Sequence, residues 1–203
     1  RQRQMCIRDS YKDIIRGVKN MEKSVFITGA TVNTGLGIAE KFAKEGYNLF
    51  LGSRNAENAE KTAKELSEKY GVYAKGYGMK IFDEENTKEI FKDIKNSGYS
   101  VDTLVLNAAN LGIRQQFFDV SIDDFMNVIN TNIGWNFMLS REAAIQMKEN
   151  GGGSIVFVNS NTAYRAIPDR IAYSASKSGA LGMMRALALD LGKYNIRVNA
   201  VLP

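Results

Sequence analysis

Short strand-like runs alternate with longer helical patterns along almost the whole chain, and this rhythm restricts the fold more than any other feature. The runs fall at Ser24–Thr28, 48–51, 72–77, Thr103–Leu106, 155–158 and Ile196–Val201. Apolar residues at helical period fill the spaces between them. Regular β-α alternation predicts an α/β architecture: a doubly wound parallel sheet with helices on both faces. The helices carry their own punctuation. Gly46 is placed to stop the first, Asp83 to cap the third, and Ser121 with Asp124 to cap a long fourth. Gly151, Gly152 and Gly153 read as the turn into the fifth strand. Residues 21–203 contain no Pro-rich linker, repeat or low-complexity tract and are expected to form a single domain.

The first strand runs into TGATVNTGLG, and an apolar-periodic stretch follows. A strand feeding a glycine-rich turn into a helix presents backbone N–H groups and the positive helix end to a pyrophosphate. Gly29 is expected to make the tight turn, with Thr31, Gly35, Leu36 and Gly37 as further cofactor contacts. Gly35 and Gly37 would allow phosphates and the neighbouring strand to approach closely. At the end of the second strand stand Ser53 and Arg54, where an acidic residue would select the ribose 2′-hydroxyl of NAD. A guanidinium suits a 2′-phosphate in geometry and charge, so NADP is favoured over NAD.

A second constellation lies near the far end. Tyr173 and Lys177 stand four apart in YSASK, and Ser160 precedes the tyrosine by thirteen residues. Four residues bring a helix back to one face, which sets phenol and ammonium side by side. A free tyrosine, with a pKa of about 10, is a poor acid or base near neutrality, and an adjacent cation favours the phenolate. Ser160 adds a hydroxyl that suits a substrate oxygen.

These motifs, together with DTLVLNAAN (102–110), TNIGWNF (131–137) and the closing IRVNAVLP, resemble the short-chain dehydrogenase/reductases from about Met21 to Pro203. The resemblance implies a Rossmann-like sheet, a nicotinamide cofactor, and hydride transfer with a small carbonyl or alcohol substrate. It assigns Asn132, Ser160, Tyr173 and Lys177 as the catalytic four. Asn132 would tie a water to Lys177, and Lys177 and Tyr173 would also reach the cofactor. Ile81 and Asn107 are implied cofactor contacts, and a homo-oligomer, dimer or tetramer, is implied as the assembly. Three positions depart from the family's pattern: five residues separate Gly29 from Gly35, Lys80 stands where an aspartate often meets the adenine, and Ala109 replaces a glycine. The longer turn matches the enoyl-thioester reductases of the superfamily, but those space tyrosine and lysine by seven, and position 180 is alanine. Enoyl reduction is therefore the alternative chemistry, and an NADP-binding regulatory protein without turnover the alternative class. Asn161 and Tyr164 are candidate substrate neighbours or simple loop surface.

Composition trims the remaining options. The net charge of +5 arises largely in residues 1–20, which hold six of the 27 basic residues and two of the 22 acidic ones. From Met21 onward the charges nearly balance, so neither a nucleic-acid nor a membrane partner is indicated. The only cysteine, Cys6, is in that leader, and the chain has no histidine, which argues against disulfides, thiolate catalysis, zinc and Ser-His-Asp chemistry. No metal site is expected. The leader, with MCIRDS, is expected to be translated non-coding sequence before a start at Met21, and dispensable. It lacks the apolar core of a secretory signal, and no run elsewhere reaches a membrane span, which places the protein in the cytoplasm. The chain stops at Leu202-Pro203, where members of the resembled family continue, so a C-terminal segment is expected to be missing. Residues 196–201 would then be an uncharged open edge prone to pairing with other chains.

Overall fold

A computed structural model describes residues 23–203. The readings made on residues 1–20 lie outside the described part. The elements follow the sequence rhythm: β1 Ser24–Thr28, α1 Asn33–Lys44, β2 Asn48–Ser53, α2 Ala56–Tyr70, β3 Ala74–Gly78, α3 Glu84–Asn96 and β4 Thr103–Leu106. Then come α4 Ile122–Ile129, α5 Asn136–Glu149, β5 Gly153–Val158, α6 Ile171–Gly192 and β6 Ile196–Val201. The six strands of the described residues form one parallel sheet in the order β3-β2-β1-β4-β5-β6. Chain order reverses between β1 and β4, and the crevice at the carboxyl ends of those two strands is where open α/β sheets bind ligands.

Strand periodicity divides the core into two layers. From β1, Val25 and Ile27 pack with Leu49, Leu51 and Val105 beneath Ala39 and Ala43 of α1 and Ala63 and Leu66 of α2. Phe26 points the opposite way, into a second cluster with Phe50, Leu104, Ile155 and Phe157 under α3, α5 and α6. In that layer Phe26 meets Phe91 edge-on at 5.4 Å between ring centroids. Each such aromatic burial contributes on the order of 2–3 kcal/mol by area alone.

The predicted punctuation is visible. Gly46 follows the end of α1 with φ 78°. The Asp83 side chain accepts from the Asn86 N–H at 2.9 Å, and the Ser121 hydroxyl from the Asp124 N–H at 3.0 Å. Asn55 caps α2 in the same way. By contrast, neither α1 nor α6 has a side-chain cap at its start, and α1 has no acidic residue in its first turn.

Three details differ from the sequence reading. The third strand begins at Ala74, because the N–H of Tyr73 is taken by the Asn48 side chain before the ladder starts. The long fourth helix is not continuous: residues Asn130–Trp135 form a π-helical turn between α4 and α5. Local side chains take up the backbone groups of that widened stretch. The Thr131 hydroxyl donates to the Asn127 carbonyl and the Asn136 amide to the Asn132 carbonyl, each at 2.8 Å. Finally, β6 is not uncharged. Alternation buries Ile196 and Val198 and leaves Arg197 and Asn199 exposed, so this outer strand of the described sheet carries a cation that discourages strand pairing.

Candidate functional site

The glycine-rich turn is built by backbone geometry that a side chain would break. Gly29 has φ 66°, in the left-handed region. A Cβ at Gly35 would lie 2.0 Å from the Gly29 carbonyl oxygen, so the first turn of α1 rests directly on the end of β1. Val32, Asn33 and Thr34, the extra residues of the turn, are all exposed. Gly37 behaves differently from the sequence expectation of a close approach. It lies on the exposed side of the helix, and a Cβ there would meet nothing within 4 Å.

Asn107 and Thr28 lock the turn to the neighbouring strand. The Thr28 hydroxyl accepts from the N–H groups of Asn107 and Ala108, each at 3.0 Å. The Asn107 amide donates back to the carbonyls of Thr28 and Gly29 at 3.0 and 3.1 Å. Sequence reading singled out Asn107 but passed over Thr28. Its position at the last residue of β1, opposite the NAA stretch, was the available signal.

A groove of about 750 Å³ opens over this junction at the carboxyl ends of β1, β2 and β4. Gly29, Thr31, Gly35, Ser53, Arg54, Ile81 and Asn107 line it, so seven of the nine cofactor residues expected outside the catalytic four come together. Leu36 and Gly37 do not. Leu36 packs half-buried on the core, with its N–H donated to the Val32 carbonyl. Thr31 and Ser53 bring their hydroxyls to 3.4 Å of one another. Among the described residues Arg54 is the only charged one lining the groove, and it makes no ion pair with any of them. Further along, Met79 and Trp135 wall the groove, and the Trp135 indole nitrogen is buried without a hydrogen-bond partner among the described residues. An open cradle of glycine, an uncapped helix start, one cation and no carboxylate fits a phosphate-rich dinucleotide.

Tyr173 and Lys177 occupy the first turns of α6, with the lysine Nζ 5.6 Å from the centre of the tyrosine ring. Lys177 is 6% exposed, and its ammonium donates to the Val158 carbonyl at the end of β5 at 3.2 Å. No carboxylate among the described residues pairs with it, and burial pushes its pKa from 10.5 down to about 8. Ser160 lies just past β5, where its hydroxyl donates to Thr162 Oγ1 at 3.0 Å and accepts the Thr162 N–H at 3.2 Å. Two bonds hold this segment to α6. The Asn159 amide donates to the Lys177 carbonyl at 3.0 Å, and the Ser178 hydroxyl to the Ala163 carbonyl at 2.9 Å. Asn161 and Tyr164 beside them are exposed.

Asn132 is buried in the π turn and has no direct bond to Lys177. Its carboxamide is bonded at both its oxygen and its nitrogen. The oxygen accepts the Asn110 N–H at 2.7 Å, and the nitrogen donates to the Asn110 carbonyl at 2.8 Å and to Ser176 Oγ at 2.9 Å. Arg170 completes the frame by donating to the carbonyls of Leu111 and Gly112, which ties the groove wall to the start of α6. Asn110 and Ser176 were not singled out from sequence. A serine in the middle of a helix, one residue before the lysine, was the only visible hint.

A doubly wound sheet with a phosphate-suited groove at its switch point and a tyrosine-lysine pair beside it defines a nucleotide-dependent α/β protein. The family model for short chain dehydrogenases matches residues 23–203, and the chain belongs to that family of oxidoreductases. It is 32% identical over 188 residues to the 3-oxoacyl-acyl-carrier-protein reductase of Aquifex aeolicus, which covers 92% of this chain and 75% of the relative. It is also 32% identical over 184 residues to a 3beta-hydroxysteroid dehydrogenase of Mediterraneibacter gnavus, spanning 90% of this chain and 65% of that protein. Among solved structures, NAD+-bound xylitol dehydrogenase superposes with a TM-score of 0.84 at 33% identity, covering 91% of this chain and 71% of that one. No helix of the described residues is long and apolar enough to cross a membrane.

Proposed function

We propose that this protein transfers hydride between NADP(H) and the carbonyl or alcohol carbon of a small molecule. One observation carries the reading: a buried ammonium with no carboxylate partner lies over the Tyr173 ring, in a fold whose nucleotide groove has a lone arginine as its charged lining. The nicotinamide, when bound, supplies the hydride. Gly29, Thr31 and Gly35 would hold the pyrophosphate, Ser53 and Arg54 the 2′-phosphate, and Ile81 and Asn107 the adenosine side. In reduction, the Ser160 hydroxyl would turn from Thr162 to the substrate oxygen, and Tyr173 would give its proton to that oxygen. The Lys177 ammonium, buried and without a carboxylate partner among the described residues, would face the oxygen left behind. Asn132 would hold the approach by which a proton returns.

The four-residue spacing of Tyr173 and Lys177 supports carbonyl chemistry over enoyl reduction. Relatives named for 3-oxoacyl, hydroxysteroid and xylitol substrates define the panel to test. Cytoplasmic residence and homo-oligomerisation belong to the same reading. The exposed residues Ala175, Ser178, Gly182 and Ala186 on one face of α6 would allow a second copy to approach closely. The deciding experiment is Tyr173→Phe, assayed with NADPH and that carbonyl panel. Turnover should fall by about 10²-fold or more while NADPH fluorescence titrates as before. Unchanged turnover would remove Tyr173 as the acid.

A further inference from the structure

Ser176 is 0% exposed, in the interior of α6, where alanine would be the better helix former and would bury no polar atom. Its hydroxyl instead bridges two elements. It accepts from the Asn132 amide at 2.9 Å and donates to the main-chain carbonyl of Tyr173 at 2.8 Å. Asn132 in turn clasps both backbone groups of Asn110, in the loop that walls the nucleotide groove. A chain of hydrogen bonds, buried at its Asn132–Ser176 link, therefore runs from the groove wall, through the π turn, to the backbone of the tyrosine.

We propose that Ser176 is a positioning residue, which sets the Tyr173 turn of α6 against the groove wall by way of Asn132. Asn132 makes this reach from within the π turn. A serine hydroxyl suits the joint because it accepts and donates at once, which neither alanine nor a protonated amine could do. Back-bonding to the carbonyl three residues earlier also restrains the helix locally. The inference rests on the roles of Tyr173 and Asn132 proposed above.

The test uses Ser176→Ala, Asn132→Ala and the double variant. In the protein without cofactor, amide exchange at Asn110 should accelerate at least tenfold in Ser176→Ala, because the Asn132 clasp has lost one of its anchors. In turnover with NADPH, kcat should fall at least tenfold in Ser176→Ala, with the NADPH Kd changed less than threefold. The same substitution placed on Asn132→Ala should lower kcat less than twofold further, since Ser176 acts through Asn132. An unchanged Asn110 exchange rate, or equal kcat losses in both backgrounds, overturns the proposal. If the unaltered protein neither binds NADPH nor reduces a carbonyl, the functional reading fails, and the Asn110 exchange rate still decides whether the tether exists.

Discussion

Replacing Lys177 with methionine should stabilise the protein without cofactor while abolishing its turnover. The stem of the lysine is already buried, so methionine fills similar space, and only the charge and one hydrogen bond are removed. Burial lowers the Lys177 pKa from 10.5 to about 8, a gap that costs the folded state about 3 kcal/mol when the lysine is charged. Loss of the bond to the Val158 carbonyl returns about 1 kcal/mol of that. The net gain at pH 7 is about 2 kcal/mol, or a rise of roughly 4–8 °C in Tm for a chain of this size. The sign can be checked through pH. Below about pH 8 the lysine is charged both folded and unfolded, and the penalty is complete. Between about 8 and 10.5 the folded protein releases its proton first, so the original protein gains stability with rising pH. Above that window the advantage of methionine should vanish. Thermal melts of both proteins without cofactor, at pH 7 and at intervals up to pH 10.5, measure this directly. A Lys177→Met protein that melts at or below the original at pH 7, or that keeps the same slope across the window, would refute the argument. The trade of stability for a poised charge is a common property of catalytic sites.

Three further outcomes are expected. Arg54→Ala should weaken NADPH at least tenfold and NADH less than threefold in fluorescence titrations, and equal losses would show that Arg54 does not read the 2′-phosphate. Gly35→Ala should lose several kcal/mol of stability and most cofactor affinity, because its Cβ would meet main-chain oxygen; a melting temperature within 2 °C of the original would contradict the packing. Asp83→Ala should cost about 1 kcal/mol by chemical denaturation through loss of the α3 cap, with cofactor affinity unchanged.

What the sequence determined by itself is what depends on local pattern. The alternating periods placed the six strands, with β1, β4 and β6 at their observed bounds, because the apolar runs of β1 and β4 and the in-out alternation of β6 differ sharply from amphipathic helices. Glycines with steric duties were legible at Gly29 and Gly35, and the cap at Asp83 was legible from residue type and position. Helical spacing alone set Lys177 beside Tyr173. Other features arose only when distant segments met. Nothing in 130–135 announces a π turn, and nothing local shows that Asn132 within it bonds both to Asn110, 22 residues earlier, and to Ser176, 44 residues later. The position of Leu36 on the core rather than in the groove follows from how α1 docks on the sheet. The depressed pKa of Lys177 is likewise tertiary, since burial depends on β5 and α6 closing over a side chain that sequence could mark as cationic but not as dry.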